Sequence, residues 1–426
     1  MNKYSIIKEL YEARKNDPKW NTSYPLLPSD WAPYRTAEPL SFQKDKELSF
    51  YIHIPFCKQL CSFCEYTRMI CPNEQLQAHY IEALHNDILQ FKSLYSNFEL
   101  RGFDIGGGTP TSLSEACFKL LMDVYDEAKE GPKLSDDFEP SIEATFNTLS
   151  ASKLERIVKS GICRLSLGVQ STSDEVLCKH HRKNTTSSDM HSWMKEAWNL
   201  GIGKINVDLM YGLRGQNERT ISIDLETIAE LRPQQVTLYE LRTNMIRNKE
   251  IPSKEVLFMQ YSQYYQGLKE LGYHACFGEN CFSLNEQDHG VSSYLRSRML
   301  EGVSYKGFGL AAQSMSNEGI SYNFGKSSGK LRELLLADTY QEEYTYVLPR
   351  LELASKYMAI GAYNGSFSLS RVSAILQKDA RSFFDEELSF ALSNGYIKEE
   401  SDSRVRITPE GFRHYGAVFS LFYAKL

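Results

Sequence analysis

The chain has 426 residues, 42% hydrophobic and 24% charged, with a formal net charge of −6. That is globular composition with length for roughly two to three domains, and the acidic balance excludes the broad basic face that general nucleic-acid binding requires. The start, "MNKYSIIKELYEARKND", has no apolar core of the signal-peptide type, and no stretch approaches the roughly 18 apolar residues of a membrane span. The expectation is a soluble, cytoplasmic protein without membrane or nucleic-acid partners. Nine cysteines in so long a chain do not form a disulfide framework.

Residues 1–46 hold one short helix and then "WNTSYPLLPSDWAPYRTAEPLSF", an apolar arm expected to lie across the main body. A strand–helix alternation starts at residue 47. "ELSFYIHIP", "LRGFDIGGG", "SIEATFN", "RLSLGVQS", "KINVDLMYG" and "QQVTLYEL" read as strands, with helical periodicity between them. This predicts an α/β fold, an incomplete (β/α)6 barrel over 47–250, with its chemistry at the C-terminal strand ends. Residues 251–345 read as a barrel extension containing a glycine-rich turn, "SYKGFGLAAQS". Residues 346–426 read as a C-terminal α+β, winged-helix-like domain serving as lid or scaffold.

The motifs fall at strand ends. "HIPFCKQLCSFCEYTRMIC" places Cys57, Cys61 and Cys64 in a C-x3-C-x2-C pattern. Structural zinc wants four ligands in paired knuckles; His53 or Cys71 could complete a set, but neither makes a standard pair. An iron–sulfur cluster also takes thiolates and normally wants four, so three leave one iron open for a ligand. Phe56 and Phe63 flank the trio as apolar cover. Cys117, Cys163 and Cys178 read as core residues or bystanders, and Cys276 and Cys281 as ordinary residues or an auxiliary metal pair.

With that spacing after a first barrel strand, the sequence resembles the radical S-adenosylmethionine (SAM) superfamily. The resemblance implies that Cys57, Cys61 and Cys64 hold a 4Fe–4S cluster whose fourth iron binds SAM. It implies further SAM contacts from Tyr51, from Gly106, Gly107, Gly108 and Thr109 in "GGGTP", and from Glu143, Gln170, Arg182 and Asp208. Read alone, the glycine run is a turn and Glu143 a surface side chain. "YIHIPFC", "GGGTP", "RLSLGVQS", "DLMYGL" and "YKGFGLAAQS" resemble the oxygen-independent coproporphyrinogen III oxidase-like group over most of residues 20–425, most strongly over 47–215. That group includes oxidases, a haem chaperone, anaerobic haem-degrading enzymes, and methyltransferases and cyclopropanases that use a second SAM. Gly307 and Gly309 resemble a segment near that second site; their plain reading is a turn before a helix.

The match departs at Tyr66, where the oxidases carry a further cysteine, at Arg214, where they carry proline, and at "EATFN", which lacks the usual Asn-Pro or Asp-Pro. Tyr239 and Arg242, at the end of the sixth strand, are candidates to meet a flat or anionic substrate, and His180 and His181 to cap a helix or line the cavity. The resemblance implies a small-molecule substrate, such as a tetrapyrrole or other flat conjugated compound, and an electron donor such as flavodoxin or ferredoxin. An oxidase-like enzyme, a two-SAM methyltransferase or cyclopropanase, and a haem chaperone without SAM turnover remain as readings.

Overall fold

A computed structural model of the chain describes residues 3–20, 24–183, 185–242, 252–325, 331–340 and 342–424. Six parallel strands lie side by side in chain order: β1 (Glu47–Ile54), β2 (Glu99–Gly107), β3 (Ser141–Ala144), β4 (Arg164–Gln170), β5 (Lys204–Tyr211) and β6 (Gln235–Glu240). The intervening helices start where the sequence supplies a capping side chain. Asn73 accepts from the Leu76 amide, Ser114 from Cys117, Ser150 from Lys153, Thr186 from Asp189 and Asn217 from Thr220.

The strands alternate strictly. Leu48, Phe50, Ile52 and Ile54 of β1, Leu165 and Leu167 of β4, and Ile205, Val207 and Leu209 of β5 are fully buried under the helices. The opposite, concave face is polar: Ser49, Tyr51 and His53, then Asp104, Ser141, Glu143, Arg164, Ser166, Asn206, Asp208, Gln235, Thr237 and Tyr239. These groups bond across strands. Arg164 donates to Gln235 Oε1 (2.7 Å) and Ser141 Oγ (3.0 Å), and Thr237 to Asn206 Oδ1 (3.0 Å). An apolar outer face under helices and a bonded polar inner face make the barrel interior a site rather than a packed core.

The sheet continues beyond the six expected strands. β7 (Cys281–Ser283) pairs antiparallel with β6. β8 (Ser304–Phe308) pairs parallel with β1 on its other side, Gly307 opposite Tyr51. The glycine-rich segment expected as a turn before a helix is therefore a strand followed by a tight reversal into a second strand, Gln313–Met315. Gly307 occupies β8 because a Cβ would meet Gln313 O at 2.4 Å; Gly309, at φ +90°, because a Cβ would meet the Tyr80 hydroxyl at 2.4 Å. Gly319–Asn323 and Glu342–Val347 extend this edge antiparallel, and Arg35–Thr36 closes it.

The C-terminal part has the expected wing. A three-stranded antiparallel sheet, Ser366–Ser368, Arg404–Ile407 and Ile397–Glu399, packs with helices Leu369–Leu376 and Asp385–Ser393. The second of these occupies the place of a groove-entering helix, but it opens on Asp385, Glu386 and Glu387. It is also covered by helix Lys3–Arg14, whose Tyr4 and Tyr11 rings pack on Phe390. The N-terminal arm lies on this unit: Trp31 Nε1 donates to Glu352 Oε2 at 2.9 Å and the Tyr24 hydroxyl to the same oxygen. Of the arm motif "NTSYP", residues 21–23 lie outside the described residues. No helix among the described residues is long and apolar enough to cross a membrane.

Candidate active site at the mouth of the barrel

The cysteine loop leaves β1 and is pinned by a short parallel ladder, Phe56–Cys57 against Met69–Ile70, with Met69 N bonded to Pro55 O (2.8 Å) and Cys71 N to Cys57 O (2.9 Å). The three thiols lie within electrostatic reach of one another. Burial pushes Cys57 up to about 11 and raises Cys64, so holding thiolates here needs positive partners. Arg68 Nη2 donates to Cys61 O at 2.6 Å, Arg182 Nη1 to Cys61 Sγ at 3.5 Å, and Thr109 Oγ1 to Cys57 Sγ at 3.9 Å. Arg182 also donates to Gly168 O.

The trio is not arranged for one small ion. Among the described residues no three His, Cys, Asp or Glu side chains converge on a single-ion site. The two candidate fourth ligands are committed elsewhere: His53 Nε2 donates to Thr67 O (2.9 Å), and Cys71 Sγ to Ser112 O (3.5 Å). Cys276, in a loop where its amide meets Glu279 Oε2, and Cys281, bonded to Asn280, form no metal group. A trio with spaced thiols and cationic neighbours fits a cluster better than tetrahedral zinc.

The glycine run makes room for this loop. A Cβ on Gly108 would meet Phe56 O at 2.7 Å and Cys57 Sγ at 2.9 Å; on Gly107, at φ +113°, the His53 ring at 2.6 Å; on Gly106, the Glu143 carboxylate at 2.5 Å. The Gly107 amide donates to Glu143 Oε2 at 3.1 Å. The glycines expected to approach a ligand thus first admit three side chains of the protein itself.

Below the loop three carboxyl groups crowd the cavity. Burial, then the neighbouring Asp208, push Glu143 up to about 8. Burial pushes Asp208 up to about 6 against the pull of Arg164, Asn206 and Ser166, and Asp104 up to about 7. Asp208 accepts from Asn206 (2.8 Å) and Ser166 (3.2 Å); Asp104 accepts from Ser292 (2.6 Å), its other oxygen unbonded. Glu143 is surrounded by protein yet accessible, and so is Tyr66, 55% exposed; both face an interior cavity. Three carboxyls whose proton affinity is raised chiefly by burial, more than the nearby arginines offset, suit a cationic occupant.

Gln170 ends β4 at φ +73°, where the β4–β5 register slips at Gly168/Gln170. A bulge with a side chain in the left-handed region turns the strand end toward the mouth. Tyr51 stacks on Tyr294 (5.6 Å between rings). Tyr239 shares the cavity with Asp208 and Tyr66. Arg242 pairs with Glu65 of the cysteine loop (3.2 Å) and lies over the Tyr363 ring (4.8 Å), joining loop, strand end and C-terminal unit.

His180 is a tie rather than a wall of the cavity. Its Nε2 accepts from Arg214 N at 2.9 Å, so Nδ1 carries the proton and meets Ser62 Oγ at 2.9 Å. The exposed His181 accepts from Gln59 through its carbonyl. Gly307 and Gly309 are buried, with Gly307 N bonded to Ser314 Oγ (3.0 Å) and Gly309 O to Asn323 (2.9 Å). Their polar groups take part in closing the sheet. The sequence reading missed Arg68, Arg164 with its partners Gln235 and Ser141, the Asn206–Ser166 pair that holds Asp208, Asp104 and Arg298. Arg298 lies over the Tyr305 ring (4.6 Å) near Tyr66, its Nε without a partner. The polar half of each strand's period-2 pattern was the available signal for the strand residues.

Comparison with known proteins agrees with this geometry. The radical SAM superfamily model matches residues 51–228. The heme chaperone HemW of Bacillus subtilis (strain 168) is 34% identical over 193 residues, 45% of this chain and 50% of that protein. HemW of Haemophilus influenzae is 25% identical over 405 residues, 89% of this chain and 98% of that one. The oxygen-independent coproporphyrinogen III oxidase of Escherichia coli K12 is 28% identical over 221 residues, 51% and 48% of the two chains. The matches to the B. subtilis and E. coli proteins thus span about half of each relative's length, 50% and 48%. The solved E. coli coproporphyrinogen III oxidase, described as a radical SAM enzyme, superposes with a TM-score of 0.74 at 21% identity, covering 91% of this chain and 92% of that one, a likeness of fold. Residues 51–228 therefore match the radical SAM superfamily, in a chain that shares the fold of oxygen-independent coproporphyrinogen III oxidase.

Proposed function

We propose that the protein is a radical SAM enzyme of the coproporphyrinogen III oxidase-like group, with Cys57, Cys61 and Cys64 as cluster ligands. The observation that carries this is the pairing of a cation-flanked thiol trio with an acid-rich cavity directly beneath it. Cys57, Cys61 and Cys64 would hold a 4Fe–4S cluster, which would supply one-electron reductive cleavage of SAM and so the means of hydrogen abstraction.

The chain's own residues then have defined work. Glu143, Asp208 and Asp104 supply negative charge to a sulfonium and ammonium, and ionise more readily once that charge is present. Arg182 is placed to meet a carboxylate while staying on Cys61. Asp208 presents oxygens to ribose hydroxyls, with Gln170 beside it on the strained strand end. Buried Phe56 and half-buried Phe63 limit water at the thiols. Tyr51, Tyr66, Tyr239 and Arg298 line the remaining cavity, a wall suited to a flat, anionic small molecule. The electron would come from a donor such as flavodoxin or ferredoxin.

The test is anaerobic reconstitution followed by SAM and dithionite, with 5′-deoxyadenosine as the readout; its absence in a cluster-loaded protein sinks the enzyme reading. A haem-carrying role is the second reading, favoured by the similarity to proteins named heme chaperones and by Tyr66. It predicts stoichiometric haem binding without SAM turnover.

A further inference from the structure

The outer rim of the cysteine loop has a character unlike the rest of this acidic chain. Lys58 and Leu60, between Cys57 and Cys61, are exposed, Leu60 at 42%. Around them Lys179, His181, Lys183 and Arg214 are also exposed. Bonds through the buried His180 hold these segments as one surface. Ser62 N meets His180 O at 3.2 Å, Ser62 Oγ meets its Nδ1 and Arg214 N its Nε2 at 2.9 Å each, and Gln59 donates to His181 O. Lys58 is anchored on Asn147 O at 3.0 Å, and Lys179 lies against Gly215. Of the acids on these segments, Glu175 is bonded to Lys179 at 2.9 Å and Glu65 pairs with Arg242, while Asp174 is exposed.

We propose that this rim is the docking surface for an acidic protein carrying a one-electron redox centre. This rests on the radical SAM reading and adds the place where the electron enters. An exposed apolar residue one position from Cys61 gives a contact that sheds water, and a ring of cations steers and orients an acidic partner. The exchange balances simply. The reduced carrier loses one electron, the centre held by Cys57, Cys61 and Cys64 gains it, and no atom or proton crosses.

The test uses purified flavodoxin as probe and the full chain, with and without reconstitution. Lys58→Glu/Lys183→Glu should weaken flavodoxin binding to the unreconstituted chain about tenfold or more at low salt, and the difference should shrink at high salt. Lys183→Glu alone should give part of that loss. Lys269→Glu, on an exposed helix position away from the rim, should not. In the reconstituted protein the double variant should lose flavodoxin-driven but keep dithionite-driven deoxyadenosine formation. Unchanged binding in the double variant, an equal loss in Lys269→Glu, or tight binding of duplex DNA to the same rim would overturn the proposal. Failure of dithionite-driven cleavage in the unmutated protein strikes the radical reading instead, and leaves the binding comparison to judge the surface.

Discussion

The carboxylate of Glu143 occupies the space a Cβ on Gly106 would need, its Cδ and Oε1 each 2.5 Å from that position. The glycine on β2 and the glutamate on β3 are a matched pair across the sheet. Gly106→Ala should therefore destabilise the protein by about 1–3 kcal/mol through overpacking. Adding Glu143→Ala should recover most of that loss, because the obstructing group is gone. Thermal unfolding of the two single variants and the double variant measures the coupling, and simple additivity would refute the pairing.

The carboxyl trio sets a pH dependence for the cofactor-free protein. Glu143 holds its proton up to about 8 in the fold against the ordinary 4.5, and Asp104 and Asp208 hold theirs up to about 7 and about 6 against 3.8. Between each pair of values the native state binds more protons than the unfolded one, so stability falls as pH rises through the folded value. Unfolding temperature should decline from about pH 5 to about pH 8, and Glu143→Gln should flatten the upper part of the decline. SAM, as a cation, should bind more tightly over the same rise in pH.

Gln170 pays about 1–3 kcal/mol for its left-handed backbone, a cost glycine avoids. Gln170→Gly should leave thermal stability nearly unchanged, with relieved strain offset by chain entropy, while SAM affinity measured by calorimetry falls. Gln170→Val should lower stability outright, since a β-branched residue tolerates that conformation poorly.

The loop cysteines divide by what holds them. Cys71 is turned to Ser112 O at 3.5 Å, so Cys71→Ala should retain iron and sulfide after reconstitution. Cys57→Ala, Cys61→Ala and Cys64→Ala should each lose most of both. Full loading of any of these three would remove that residue from the ligand set.

The six-unit alternation was legible because each strand and helix has its own period over several turns. The cysteine spacing was legible because it is local. What stayed hidden depends on partners far along the chain. β8 is only five residues, Ser304–Phe308, too short for a period to declare itself, and its partner β1 lies some 250 positions earlier. The pairing of Arg242 with Glu65 stayed hidden because Glu65 sits in the distant cysteine loop. Arg298 carries no signal of its own in the sequence; only the fold brings it among Tyr294, Tyr305 and Tyr66. In "RLSLGVQ" the polar Arg164 and Ser166 are buried, because the face they occupy is the inside of the barrel.

The arm that lies on the C-terminal unit imposes an order of events during synthesis. Trp31 bonds Glu352, 321 positions later, and Arg14 donates to Ser420 O, 406 positions later. The barrel strands can pair as they leave the ribosome, but Tyr11, Tyr24 and Trp31 must wait for almost the whole chain before finding cover. The arm, made before the barrel, is thus among the last parts to be buried, and a nascent chain stalled after the barrel carries an uncovered aromatic segment, the kind of surface that aggregates or recruits a chaperone.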